Sequence, residues 1–138
     1  MAKFEKGLTL FEECLSVLGT WRVIALESEQ DKIMHEFSER LPWVRWGRID
    51  WDAVEKKYPI VLLSDISVAL KKENKTGDEP IYILWDSSRP TLETTLDEAL
   101  RNLEDVTAVS FDTWFYCPSE GWIVEFWHHD GEIYLGFF

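Results

Sequence analysis

At 138 residues the chain has the length of one domain and buries enough surface on folding, roughly 68% of what the unfolded chain exposes, to need neither metal nor disulfide. A hydrophobic fraction of 46% excludes intrinsic disorder, and the lack of any 18-residue apolar run excludes a membrane span. The net charge of −12 is lopsided: residues 1–75 hold 12 Lys/Arg against 13 Asp/Glu, whereas Thr76 to Phe138 holds only Arg89 and Arg101 against 13 acids.

Phosphate backbones are held by Lys and Arg through counterion release, so an acidic half of this kind argues against nucleic-acid binding. The same field attracts a basic protein; the competing expectation is that the acidity serves solubility alone. The opening MAKFEKGLTLFEE is broken by Glu5, Lys6, Glu12 and Glu13 and lacks the apolar core of about 7 to 15 residues that a secretion signal carries, so the expected location is the cytoplasm. Cys14 and Cys117 belong to no CxxC or Cys/His cluster and are expected as reduced, buried thiols.

In chain order, Thr9-Leu10-Phe11-Glu12 has the form of a capping box and predicts a helix over about residues 8–18, with Leu10, Phe11, Leu15 and Leu18 on its inner face and Gly19 as its stop. The β-branched and aromatic run from Thr20 to Leu26 predicts a strand. Ser28 with Asp31 starts a second helix whose buried stripe is Ile33, Met34, Phe37 and Leu41, closed by Pro42. WVRWGRIDW at 43–51 interleaves Trp with Arg and predicts a strand in which Arg lies over Trp faces, followed by a short helical stretch near Asp52 to Lys57. A helix follows from Ser64 to Glu73 with Ile66, Ala69 and Leu70 inside, then a solvated loop, then a buried strand at Pro80-IYILW. Thr95 caps a helix with Asp97 and Glu98 in its first turn and Leu96, Ala99, Leu100 and Leu103 inside.

From Phe111 onward, three aromatic-rich runs are separated by Pro118-Ser119-Glu120-Gly121 and Asp130-Gly131. A two-residue type I′ turn at Asp130-Gly131 pairs His129 with Glu132, Trp127 with Tyr134 and Phe126 with Leu135, and a four-residue loop at 118–121 pairs Cys117 with Trp122 and Phe115 with Val124. Opposite residues share a face. One face then holds Phe111, Phe115, Cys117, Trp122, Val124, Phe126, Ile133, Leu135 and Phe137, a core for helices to cover. The other holds Asp112, Trp114, Tyr116, Glu125, Trp127, His129, Glu132 and Tyr134. Large aromatics mixed with carboxylates suit an interface, the aromatics supplying contact area and the acids steering, so this face or its rim is the candidate partner-binding site; the competing expectation is that another helix covers it. The architecture predicted is α+β: an antiparallel sheet ending in a three-stranded meander and packed by about four helices, in one domain over 1–138.

No short motif that carries a catalytic mechanism is present, and His128 and His129, as neighbours on a strand, point to opposite faces and cannot share one metal. No catalytic residue, metal or cofactor is expected. Besides His128-His129-Asp130, a Glu125/Glu132 pair and His35 are acid–base candidates; chance suffices to place two carboxylates together among 26 acids, and His35 sits among polar helix neighbours.

With its acidic half, its aromatic C-terminal stretch WFYCPSEGWIVEFWHHDGEIYLGFF and no catalytic motif, the chain resembles the immunity proteins of bacterial contact-dependent growth inhibition and related polymorphic toxin systems. The resemblance implies a cytoplasmic inhibitor that binds a toxin domain, often a nuclease with a basic cleft. The alternatives are a stand-alone intracellular ligand-binding or regulatory domain and a small α+β enzyme of unrecognised type.

Overall fold

The structure is a computed structural model that describes residues 9–24, 27–45, 47–85, 90–127 and 131–138. Seven strands, β1 (Trp21–Val23), β2 (Lys56–Pro59), β3 (Pro80–Leu84), β4 (Leu92–Thr95), β5 (Asp112–Cys117), β6 (Trp122–Trp127) and β7 (Ile133–Phe137), form one sheet in the order β1-β4-β3-β5-β6-β7-β2, with every neighbouring pair antiparallel. The helices are α1 (Leu10–Val17), α2 (Glu27–Arg40), α3 (Ser64–Lys72), α4 (Leu96–Arg101) and α5 (Leu103–Thr107). The fold is α+β, and β5-β6-β7 is the expected meander.

Local chemistry explains the helix starts. The Thr9 hydroxyl accepts from Glu12 N at 3.1 Å while the Glu12 carboxylate accepts from Thr9 N at 3.0 Å, the reciprocal capping box that stabilises α1. Thr95 likewise accepts from Glu98 N. The α1 stripe turns slightly from the expected one: Cys14 and Leu18 are buried, Phe11 and Leu15 partly so, and Leu10 is exposed. The helix expected from Thr95 breaks at Asn102 into α4 and α5.

Each face of the sheet has its own core. On one, Phe115, Cys117, Trp122, Val124, Phe126 and Leu135 pack with buried residues of α1, α3, α4 and α5. On the other, Trp114, Tyr116, Ile123 and Leu84 pack under Ile33 and Phe37 of α2, the following Leu41, and Ile49, Trp51 and Val54. Helices therefore cover both faces. Phe111, expected in the first core, instead stands 76% exposed just ahead of β5.

The first hairpin has the predicted register, Cys117 opposite Trp122 and Phe115 opposite Val124. Its four-residue loop is closed by Gly121 N donating to Cys117 O, with Gly121 at φ 74°, a left-handed conformation that glycine adopts without steric cost. The second hairpin differs. Phe126 lies opposite Ile133 and Val124 opposite Leu135, and Gly131 N donates to Trp127 O across a four-residue span, so the expected two-residue turn is replaced by the closure used at Gly121. The shift is two residues, so both face assignments survive.

Two strands escaped prediction. β2 falls where a helical stretch was expected, after a 3₁₀ turn at Trp51–Ala53, and β4 ends at Thr95, the residue that caps α4. Trp46 of the 43–51 segment lies outside the described residues; among the others the expected strand is absent and Trp43 and Ile49 form an isolated antiparallel bridge.

Candidate functional site

Glu125 lies in the middle of β6 with 1% of its surface exposed. Its carboxylate accepts from Ile49 N at 2.8 Å, Trp51 Nε1 at 2.8 Å and Trp114 Nε1 at 3.0 Å, with Arg48 Nε 3.5 Å away. Two of those donors, Ile49 N and Trp51 Nε1, come from the Arg/Trp-rich segment after α2, so this buried carboxylate is the point at which that loop is fastened to the sheet. A charge taken out of water needs such partners, and here it has both hydrogen bonds and a cation.

The aromatics of the same face are equally occupied. Trp114 and Tyr116 meet the Phe37 ring edge-on at 5.6 and 5.4 Å, Trp43 meets both Phe37 and Trp114, and Tyr134 stacks on Trp51 at 5.2 Å. Burial pushes the Tyr116 hydroxyl above its ordinary pKa. The expectation of an open face is thus corrected: Trp114, Tyr116, Glu125 and Trp127 are buried, because α2 and residues 41–54 lie over them. Tyr134 and Asp112 are half-buried, Glu132 is exposed, and His129 lies outside the described residues together with His128 and Asp130. The strands bring Asp112 opposite Trp127 and Trp114 opposite Glu125, as the sequence pairing requires, whereas Tyr134, expected opposite Trp127, lies opposite Glu125 because of the two-residue shift in the second hairpin.

What reaches the surface is the rim. The Arg48 guanidinium sits 4.9 Å over the Trp127 ring and bridges buried Glu125 to exposed Glu132, each at 3.5 Å. This Arg-over-Trp contact is the one expected of the segment, made across to β6 rather than within a strand of its own. Beside it, Asp50, Asp52 and Glu132 border a cavity of about 220 Å³ whose floor includes Val44 and Ile49. Arg48 was the partner that sequence reading did not connect to Glu125; no local spacing links residues 77 apart in the chain, and only the packing of α2 makes them neighbours.

Catalytic readings find no support in this arrangement. Both oxygens of Glu125 hold donors, Glu132 is separated from it by Arg48, and His35 is exposed on α2. Among the described residues no group of three His, Cys, Asp or Glu is placed to hold a metal ion, and no helix is long and apolar enough to cross a membrane. Cys14 and Cys117 are free and buried, and burial raises the pKa of both thiols.

The buried carboxylate of Glu125 thus serves to fasten the Arg/Trp-rich loop to the sheet, and the net charge of −12 is left for encounters with other molecules, as suits a binding protein. The chain belongs to the CdiI immunity proteins of the EcoliA0-like family, whose family model matches residues 8–136. Membership makes it an inhibitor rather than an enzyme, one that neutralises a cognate CdiA toxin by binding it. No curated protein matches the sequence.

Proposed function

We propose that this immunity protein acts in the cytoplasm on a basic, nuclease-type toxin domain, and that its acidic half draws the toxin in and holds it by direct contact. The observation that carries the reading is the charge asymmetry, 13 acids against two Arg beyond residue 75. One of those two, Arg101, is already bound to Asp97 and Glu98 of its own helix, so it does not offset the acids elsewhere in that half. A nuclease cleft is basic because its substrate is a polyanion, and opposite fields raise association rates far above the unassisted range. Of the face predicted to bind the partner, the members that suit contact are those at its rim, Glu132 and Asp112.

Calorimetry of the protein with the toxin domain encoded beside its gene, at low and at high salt, tests this. The expected result is one tight site whose affinity falls about tenfold or more as salt screens the fields, with Glu132→Lys slowing association. A toxin domain of acidic charge, or an affinity indifferent to salt, overturns the electrostatic reading.

A further inference from the structure

Beside α2 lies a cavity in which the Glu125 anchor takes no part. It holds about 170 Å³ and is lined chiefly by Glu29, Lys32 and Glu36 of α2, Tyr82 of β3, Tyr116 of β5 and Pro118. The α2 residues recur at intervals of three and four and so share one side of the helix. Tyr82 and Tyr116 stand opposite each other in the β3–β5 pair. Tyr116 is 1% exposed, yet its hydroxyl makes no hydrogen bond with any described residue. The neighbouring Arg40 guanidinium offers donors only, so the phenolic proton has no acceptor. The hydroxyl of the half-buried Tyr82 is likewise without a hydrogen-bond partner among the described residues. Burial raises the pKa of both side chains, so both keep a proton to donate. A buried donor left unsatisfied costs stability, and that cost is relieved when a ligand or a water supplies the acceptor.

The chemistry of the two walls selects the ligand. The sheet wall offers two hydroxyl donors, and the helix wall offers the carboxylates of Glu29 and Glu36 as acceptors. Charge around the cavity is balanced: Arg22 pairs with Glu29 at 3.3 Å and with Glu93 at 2.9 Å, Arg40 stands 4.0 Å from Glu36, and Lys32 is exposed. A carboxylate ligand would bring acceptors alone and set a negative charge against Glu29 and Glu36. A guanidinium or ammonium would bring donors alone and leave the phenolic protons unmatched. A carboxamide brings an acceptor oxygen and a donor NH2 with no charge. The volume is well below the roughly 300–1,000 Å³ of sites for drug-sized ligands, so it takes one such group rather than a cofactor. We infer that this cavity binds a primary carboxamide, its oxygen accepting from the Tyr82 and Tyr116 hydroxyls and its NH2 donating to the α2 carboxylates. The group arrives either as an Asn or Gln side chain of the toxin or on a free small molecule, and both present the same atoms. The inference does not depend on the toxin's charge.

The test compares the wild type with Tyr116→Phe and Tyr82→Phe, by thermal unfolding alone and with L-glutamine or L-glutamate at equal millimolar concentration, and by calorimetry with the toxin domain encoded beside the gene. Tyr58→Phe is the control, since the Tyr58 hydroxyl donates to Glu73 and its ring packs against the core on the other face of the sheet. Removing an unmatched hydroxyl is expected to leave the midpoint of Tyr116→Phe unchanged or raise it by up to about 4 °C, whereas Tyr58→Phe lowers it. With the carboxamide on the toxin, Tyr116→Phe and Tyr82→Phe each weaken toxin binding about fivefold or more, while Tyr58→Phe stays within about twofold. With the carboxamide on a free molecule, toxin affinity is unchanged, glutamine raises the wild-type midpoint more than glutamate does, and Tyr116→Phe loses that difference. A lowered midpoint for Tyr116→Phe shows that the hydroxyl serves the fold and overturns the site. Unchanged toxin affinity in both variants, with no shift specific to glutamine, leaves water as the occupant and overturns it as well. A shift specific to glutamate overturns the carboxamide assignment. If the wild type does not bind the toxin at all, the functional proposal falls, and the glutamine measurement decides the cavity by itself.

Discussion

Replacing Glu125 by Ala tests whether one buried carboxylate fastens the Trp43–Val54 loop to the sheet. The substitution leaves Ile49 N, Trp51 Nε1 and Trp114 Nε1 without their acceptor and removes the buried partner of Arg48. Each buried donor left unsatisfied costs about 1–3 kcal/mol, and breaking a buried ion pair about 3–5 kcal/mol. These penalties overlap, since water enters the space and Arg48 can swing toward Glu132, so a loss of about 4–5 kcal/mol is expected against the roughly 5–15 kcal/mol that holds a domain of this size folded. With a urea slope of about 1–3 kcal/mol/M, the midpoint should fall by about 2 M. Glu132→Ala removes the exposed partner of the same guanidinium and should cost under about 1 kcal/mol. Urea unfolding followed by tryptophan fluorescence measures both, because Trp51 and Trp114 report from the site itself. A Glu125→Ala midpoint within about 0.5 M of wild type would refute the reasoning, since three buried donors cannot lose their acceptor at that cost.

Two further predictions concern packing and pH. A Cβ on Gly136 would stand 2.5 Å from Trp51 Cζ3, and that ring is held by Glu125 and stacked on Tyr134, so Gly136→Ala should destabilise by about 1–3 kcal/mol in thermal unfolding; an unchanged midpoint would show that Trp51 moves freely. Burial, aided by the negative charge of Asp105, pushes the Cys14 thiol up to about 11 from an ordinary 9.0. Between those values the unfolded chain has released a proton that the folded chain still holds, so the contribution of Cys14 is complete below pH 9 and is lost as pH rises through 11. Cys14→Ala should therefore lose less stability than wild type over that window, and parallel alkaline limbs in denaturant titrations would contradict the assignment.

How much of this was legible depended on whether the deciding interaction was local. The capping box at Thr9, the stripe of α2 and the Cys117–Trp122 hairpin are set by residues within one or two turns of each other, and all three are present. The Asp130-Gly131 pair was a weaker guide, since a glycine with positive φ closes a four-residue hairpin as well as a two-residue one; Gly131 takes that role at φ 70°. The error did not scramble the faces because strand side chains repeat every two residues. β2, sequence Lys-Lys-Tyr-Pro, was hidden by its place at the sheet edge, where lysines and a proline discourage pairing with other chains and erase the apolar alternation by which strands are recognised.

The candidate site was legible in its pairing and not in its exposure. Period-two alternation put Trp114, Glu125 and Tyr134 on one face, which they share, with Tyr134 two residues out of its expected register, but no pattern within the strands says which elements lie above them. The covering layer was nonetheless foreshadowed: a Glu in mid-strand among aromatics needs donors, and indole N–H groups and Arg48 lie in the one segment of otherwise odd composition. Once Glu125 is assigned to that internal role, its charge is unavailable to a partner, and a charge reversal there would abolish binding by unfolding the protein. Partner contact is therefore proposed for where the two layers end. There Glu132 borders the cavity beside Arg48, Asp50 and Asp52, and Phe111 stands exposed just ahead of β5. The middle of either face is closed to a partner, by α1, α3, α4 and α5 on one side and by α2 with the loop that ends at Val54 on the other.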